Sequence, residues 1–593
     1  MVTCNDNHSK YNIKQYKPFC IVCLTLMKST EIFFKQELCW LFFQLSRKST
    51  NNSITNIHLR LDRCLKSLKK NIQNDDSKIW IKYLSYFYSL IGFTRDSYKG
   101  IGEQTFAYMI IVCFYSHFPT LSIYALHRLV KPSSSVGSNY IFGCWRDLKY
   151  ICQYAYINSN KNDNHGIINY CVDIMNKQLH SDYETWKFSK NCFSLSHISN
   201  VAKYIPREKS KFSWLYDKLS INWIQTHKPY ILQTAINVIS YKKAMSKSKM
   251  IYRKMLSYLN KALNTSEINI CHHTRDNSNE FILKTNPSLF TTFNNRELFL
   301  STNENDCVDE ISSKFKNNFI NSFDQNKAST FYMGAAYSKI SIYQLVKYAI
   351  DICTNNGEGS HNEDDTIIIN KLWKKLYVDN IANCNKNCIV PVIDVSSKMN
   401  DEMLYTAFGL AILLSHISTI KYRILAVDRK PSWIVLNPQH SFVEQISHIR
   451  DTIYNMHNTC PNFISTFQLI IHTFSQMNDN CNFIDNMKIV VLSDQSNEFL
   501  NEDNITSLFY ENNIHDIPHI IFWNLSQTNC IDLPCDINSQ KYMIFSGYST
   551  CHIHNLCYYK QYKYTLFQNI IKILSNKRYR CFSNYVQDLT SLF

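Results

Sequence analysis

The stretch Ile389–Asp401, "IVPVIDVSSKMND", runs from an unbroken apolar segment into an aspartate, a pair of serines and a lysine before the next acidic residue. An apolar run closing on Asp394 has the pattern of a strand buried on both faces of a parallel sheet, because a half-exposed strand would alternate. Asp394, Ser396 and Lys398 then fall in the turn that leads from the strand's C-terminal end towards a helical segment at 402–418, "EMLYTAFGLAILLSHIS". In open α/β sheets, ligands bind outside the carboxyl ends of the strands. The fold and the candidate site are therefore decided by the same thirteen residues.

The same grammar recurs downstream. "MKIVVLSD" (487–494), "IPHIIFWNLS" (517–526) and "KYMIFSG" (541–547) are short apolar runs ending in polar residues or glycine. Helical patterns at 463–474 and 566–574 lie between or after them. "YRILAV" and "SWIVL" are separated only by "DRKP", which is too short for a crossover and predicts an antiparallel hairpin. The expected C-terminal unit, residues 387–593, is a doubly wound α/β domain with one antiparallel edge strand, and Asp394 and Asp494 both sit at strand ends.

Upstream the period is different. "EQTFAYMIIVCFYSHF" (103–118), "SWLYDKLSINWIQTH" (213–227) and "YRKMLSYLNKAL" (252–263) repeat apolar residues three or four apart, which is the helical spacing. Short breaks such as "PSSSVGSN" (132–139) separate them. The expected organisation is an N-terminal helical extension (1–75), an all-α helical array (76–353), a linker with a connecting helix (354–386, opening on the polar run "TNNGEGSHNEDD") and the α/β domain.

Composition narrows the function classes. Apolar residues make up 45% of the 593, and Gly and Pro number only 11 and 12, so the chain is packed structure and not a disordered one. The formal charge of +16 is unevenly spread: residues 381–593 hold 15 Lys+Arg against 17 Asp+Glu, and residues 1–380 hold 48 against 30. All of the basic excess lies in the helical part, where a polyanion would dock; a solvated lysine-rich surface is the alternative. The 22 cysteines are scattered through helical and strand-like segments, as at Cys113, Cys152 and Cys353, which fits free buried thiols in a reducing compartment. "FCIVCLTLM" is too short to span a bilayer and lacks a signal-peptide cleavage site. The expectation is an intracellular, cytoplasmic protein without a membrane partner.

With those patterns in place, the order of elements around Asp394-Val-Ser396-Ser-Lys398-Met399 and "LSD" at Asp494 resembles a von Willebrand factor A domain. "TRDSYKGIGE" (94–103), "GCWRDLKY" (143–150), "IPREKSKFSWLYDKL" (205–219), "YRKMLSYLNKAL" and "IIFWNLS" resemble recurrent blocks of a family found in large DNA viruses and other organisms, in which a helical region precedes such a domain. The layout is also similar to that of the Ro ribonucleoprotein, whose helical TROVE module binds RNA ahead of a von Willebrand A domain. The resemblance implies RNA binding by analogy of architecture.

It also implies a metal-ion-dependent adhesion site (MIDAS): a first-strand Asp, hydroxyls at i+2 and i+4, a Thr from a later loop and an Asp after the fourth strand, holding Mg²⁺ through hard oxygen ligands. Asp394, Ser396 and Asp494 match. The i+4 position is Lys398, with Met399 holding the register, and in "NTCPNFISTF" (458–467) Pro461 stands where the Thr is expected, with Thr459 two residues earlier. The expected site is degenerate and needs no cofactor. Lys398 replaces a ligand, either lying between the two aspartates as an internal cation or pointing to solvent beside a vestigial site; Mg²⁺ binding is the remaining alternative.

Other constellations are weaker. "CHIHNLC" (551–557) offers soft zinc ligands, but tetrahedral sites usually draw on separate segments; "CNKNC" (384–388), "CIDLPC" (530–535) and "CHHT" (271–274) rank below it. No P-loop, dinucleotide glycine fingerprint, HExxH or GxSxG motif is present, so nothing nominates a catalytic nucleophile and base. The RNA-contact candidates are Arg207, Lys209, Lys211 and Trp214 in "IPREKSKFSW", with Lys99, Arg146 and Lys149 in the other blocks. Cations beside aromatics combine phosphate neutralisation with base stacking. Against this, Arg207 and Glu208 would pair within the array while Phe212 and Trp214 begin a buried face. The rival to RNA binding is a protein-interaction scaffold that uses the A-like domain.

Overall fold

A computed structural model of the chain describes residues 16–46, 51–74, 78–132, 140–189, 198–233, 238–263, 341–354, 363–381, 387–454, 461–477, 487–495, 500–515, 517–530, 532–558 and 564–590. The N-terminal region is helical: α1 (Tyr16–Phe43), α2 (Asn51–Asn74), α3 (Lys78–Arg95), α4 (Gln104–His117), α5 (Pro119–Val130), α6 (Trp145–Asn158), α7 (Gly166–Ser189), α8 (Val201–Tyr204), α9 (Ser213–His227), α10 (Tyr230–Gln233) and α11 (Val238–Ala262). The helices predicted at 103–118 and 213–227 are α4 and α9, and that at 252–263 is the second half of α11.

Helix α4 explains the packing. Phe106 to Phe114 are all buried, so the helix is apolar around its whole circumference, and α2, α3, α5 and α6 enclose it. Helix α5 begins on Pro119, whose missing N–H is no loss in a first turn. The start of α6 is tied down by Asp147, which accepts from the Cys144 N–H (2.8 Å), from Tyr108 (2.6 Å) and from both arms of Arg95 (2.9 and 3.0 Å).

The C-terminal region is a mixed α/β sheet of six strands: β1 (Cys388–Asp394), β2 (Arg423–Val427), β3 (Ser432–Val435), β4 (Met487–Ser493), β5 (His519–Asn524) and β6 (Tyr542–Ser546), in the order β3-β2-β1-β4-β5-β6. Every pairing is parallel except the β2–β3 hairpin, as the short connection required. β1 and β4 are buried throughout, which is why they read as continuous apolar runs. Helices α14 (Asp401–Ile417), α15 (Phe442–Tyr454), α16 (Phe463–Met477), α17 (Glu502–Glu511), α18 (Cys551–Tyr558), α19 (Leu566–Leu574) and α20 (Arg580–Thr590) accompany the sheet.

Helix α12 (Ile342–Thr354), which sequence periodicity assigns to the array, packs instead on α14 and α15, and α13 (Glu363–Ile381) packs on α12, α15 and α18. The reason is steric: Gly409 of α14 leaves a gap that Ile342 and Val346 fill. The helical layer of the α/β unit therefore begins before residue 354.

The segment 1–75 is also more than an extension, because the end of α1 seats on the sheet. The carbonyl of Phe42 accepts from Ser546 Oγ and that of Phe43 from Asn524 Nδ2, both at 2.7 Å. Gln44 exchanges two hydrogen bonds with the backbone of Cys530, each 3.1 Å, and Ser46 bonds to the Ser526 carbonyl. From the other side, Arg578 and Tyr579 hold the buried Asp96 in the loop after α3, and α20 lies along α3.

Candidate functional site

The topological switch of the sheet falls between β1 and β4: the chain steps from β1 outward to β2 and β3, then returns to the other side of β1. Asp394 ends β1 and Asp494 follows β4, so the two predicted aspartates lie at adjacent strand ends. Asp394 is buried. Its Oδ1 accepts from the Ser396 N–H and its Oδ2 from the Ser493 hydroxyl, both at 2.9 Å. Burial pushes the Asp394 carboxyl above the usual carboxylate range; the Ser396 and Ser493 hydrogen bonds oppose that, and the nearby charge of Asp494 adds to it. Ser493 and the buried Asp428, which follows β2, join the same row of strand ends. Both were overlooked in the sequence, although "LAVD" repeats the pattern of an apolar run closing on Asp.

Lys398 is not the internal cation. The Met399 N–H bonds back to the Ser396 carbonyl (3.0 Å), a tight turn that buries Met399 and leaves Ser397 and Lys398 exposed. Among the described residues Lys398 forms no ion pair with Asp394 or Asp494. A strongly hydrated ammonium on a flexible stem stays in water unless a buried carboxylate repays its desolvation, and both Asp394 oxygens already have donors.

A magnesium ion would need an octahedral oxygen shell. Position 398 supplies none, Pro461 has no side-chain ligand, and Thr459 lies outside the described residues. Among those described, no three His, Cys, Asp or Glu side chains are grouped as ligands. Of the five ligand positions that the resemblance implies, Asp394, Ser396 and Asp494 carry side-chain oxygens, and positions 398 and 461 do not.

In "CHIHNLC", now helix α18, His552 is fully buried among Phe42, Phe93, Trp523 and Phe545, and its Nε2 donates to the Ser546 carbonyl (3.1 Å). Burial drives its pKa down to about 3; it is a core histidine. Cys535 of "CIDLPC" is also buried, whereas "CHHT" and all but the end of "CNKNC" lie outside the described residues. Cys113 and Cys152 are free and buried, and Cys353 is free and half-buried.

In the helical region, the fold gathers three of the basic candidates. Lys149 on α6 feels the charges of Arg146 and Lys211, and its pKa is lowered by burial first and by those two neighbours next. Lys149 and Lys211 both lie over the Phe212 ring, at 5.0 and 5.4 Å, and Lys149 also lies 5.1 Å from Tyr150. Among the described residues none of the three pairs with a carboxylate, and the Arg146 Nε is buried without a hydrogen-bond partner.

The other candidates are placed differently. Arg207 and Lys209 are exposed, and Glu208 pairs with Arg253 (3.5 Å), not with Arg207. Trp214 stacks on Tyr156 (4.1 Å), donates to Gln153 and lines a cleft of about 420 Å³ together with Asp163, Asp173, Asp217 and Lys218. Lys99 sits over Tyr98 in the loop after α3.

Sequence reading missed the charge of α11. That helix carries seven Lys or Arg and no acidic residue, a signal that a residue count over 238–262 would have given.

Residues 387–556, which span this sheet, match the model of a domain of unknown function, DUF7788. The chain is also similar to the uncharacterized protein L728 of Acanthamoeba polyphaga mimivirus, 23% identical over 499 residues that cover 80% of this chain and 76% of the viral protein. That distant homology runs through both the helical and the α/β regions. Among the described residues no helix is long and apolar enough to cross a membrane.

Proposed function

We propose that the protein binds RNA without catalysis, through the basic helical region, as part of a ribonucleoprotein. The observation that carries this reading is the cluster of Arg146, Lys149 and Lys211. Like charges held close repel, and folding tolerates that cost best where an external anion compensates it. The α/β unit is read as a von Willebrand A-like domain with a degenerate metal site. Supporting that are the β3-β2-β1-β4-β5-β6 order with its antiparallel edge, the aspartates at β1 and β4, and the missing ligands at Lys398 and Pro461.

The test is anisotropy of labelled RNA with the full chain over a salt series. Affinity should fall steeply with salt, and Lys149→Glu should weaken it about tenfold or more while the fold is retained. Absence of RNA binding at low salt would leave the second reading, a protein scaffold. One observation favours it: β3 is an edge strand whose Val435 is 58% exposed, which suits docking of a partner strand. Calorimetric titration of Mg²⁺ into the same protein should give no heat of binding, and micromolar affinity would refute the degenerate site.

A further inference from the structure

Helix α11 is amphipathic in an unusual sense. Ala244, Ser248, Tyr252, Met255 and Leu259 form its buried face, at the 3–4 spacing of one helix side. On the exposed side, Lys243, Lys247, Lys254 and Lys261 recur at intervals of four and seven residues, which aligns them in one stripe. At 1.5 Å per residue the stripe is about 27 Å long. Of the three other cations of α11, Lys249 is neutralised by Asp217 (2.6 Å) and Arg253 by Glu208 (3.5 Å); among the described residues, Lys242 and the four stripe lysines have no such partner.

A second feature lies at the C-terminal end of this stripe. Tyr258 of α11 stacks on Trp186 of α7 at 4.9 Å and 13°, and Trp186 stacks on Tyr183 at 5.7 Å and 19°. The three rings are half-buried and nearly parallel. Lysines stand over both ends: Lys254 is 6.0 Å from the Tyr258 ring, and Lys187, which pairs with Glu184 at 2.7 Å, is 4.4 Å from that of Tyr183. Tyr183 and Trp186 also pack against the core, and ammonium groups stand at the ends of the stack.

We infer that the lysine stripe of α11 and the Tyr183–Trp186–Tyr258 stack form a track for single-stranded RNA, the lysines following the phosphates and the ring stack taking a base. This rests on the RNA-binding reading and names the strand form that the surface takes. Duplex RNA presents phosphates but keeps its bases stacked inside, so it can use the stripe and not the rings. A single strand can use both, and stacking of each base on an aromatic ring adds to a sequence-tolerant electrostatic attachment.

The experiment uses the full chain, a labelled 20-nucleotide poly-uridine and a 20-base-pair RNA duplex, with circular dichroism to verify folding of each variant. Trp186→Ala should weaken the single strand about tenfold and leave the duplex unchanged, with Trp186→Phe restoring most of the loss. The pair Lys247→Gln, Lys254→Gln should lower the slope of log affinity against log salt by about 1.4 for the single strand. If poly-uridine binds and responds to Lys149→Glu but to none of these variants, the track is refuted and the RNA reading stands. If neither RNA binds at low salt, both fall. If poly-glutamate competes as well as poly-uridine and Trp186→Ala changes neither, the surface serves an acidic protein segment, and the inference is overturned.

Discussion

Asp147 is fully buried and meets Arg95, 4% exposed, across two parallel hydrogen bonds, with Tyr108 and the Cys144 N–H completing its shell. The pair joins the end of α3 to the start of α6. Removing one partner strands the other charge in the core, so Arg95→Ala should cost about 3–5 kcal/mol in chemical denaturation, whereas exposed Arg207→Ala should cost nearly nothing. A second prediction at this scale concerns acid. Burial holds the pKa values of His552 and His519 near 3, below the ordinary histidine value. The unfolded chain therefore takes up protons at these positions from about pH 6.5 downward, while the folded protein does not until near pH 3. Stability should decline across that window, and His552→Phe should flatten the decline in urea midpoints measured against pH. Asp394 acts with the opposite sign: its raised carboxyl favours the folded state at low pH, and that contribution is lost as pH rises through its folded value. Residue identities were legible in the sequence and residue directions only partly so. Asp394 at a strand end followed from hydrophobic pattern alone, but whether Lys398 turned inward depended on a four-residue turn whose side-chain directions no periodicity encodes.

Among the elements, β1 and β4 and the β2–β3 hairpin were readable because burial on both faces and a four-residue connection leave few alternatives. Helix α12 shows what pattern withholds. Its buried residues Ile342, Leu345, Val346, Ala349 and Ile350 follow helical spacing closely, which predicts a helix and a partner but not which partner. The partner was decided by Gly409, which lies 63 positions after Val346 and has no side chain to advertise itself. A Cβ there would come within 2.8 Å of Ile342 and 3.1 Å of Val346. Gly409→Val should therefore force α12 off α14 and cost about 1–3 kcal/mol, read as a lowered melting temperature, despite the better helix propensity of valine. Helix α11 makes the complementary point: its buried stripe was recognised, while the absence of any acidic residue on its other faces was not weighed.

For the whole molecule, the boundaries expected from composition describe regions of different pattern, yet those regions are joined by buried polar contacts. Gly547, with φ of +92°, lets the chain turn beneath Ile101 and Leu45; an added Cβ would lie 2.7 Å from Ile101 Cγ2 and 3.1 Å from the Leu45 carbonyl. Gly547→Ala combines backbone strain with a clash at the junction of three segments, and should destabilise by about 2 kcal/mol or more. Because the junction includes both chain regions, calorimetry of the intact protein should show the helical and α/β parts melting together, and Gly547→Ala should lower or split that transition. Nothing in the sequence around residues 42–46 announces this role, since a helix end that bonds to distant side chains uses backbone carbonyls, which every residue has.

The seating of α1 also sets a schedule for synthesis. The carbonyls of Phe42 and Phe43 wait for donors 504 and 481 residues later in the chain. At the usual 5–20 residues per second, that is roughly 25 to 100 seconds. Throughout it, the end of α1 has left the ribosome without β6 and α19, which pack on it in the finished fold, although Phe34 and Phe42 already have Trp80, Tyr83 and Phe93 of α3 to pack on. The nascent protein must therefore be sheltered by a chaperone or by its own neighbouring helices until translation is nearly over.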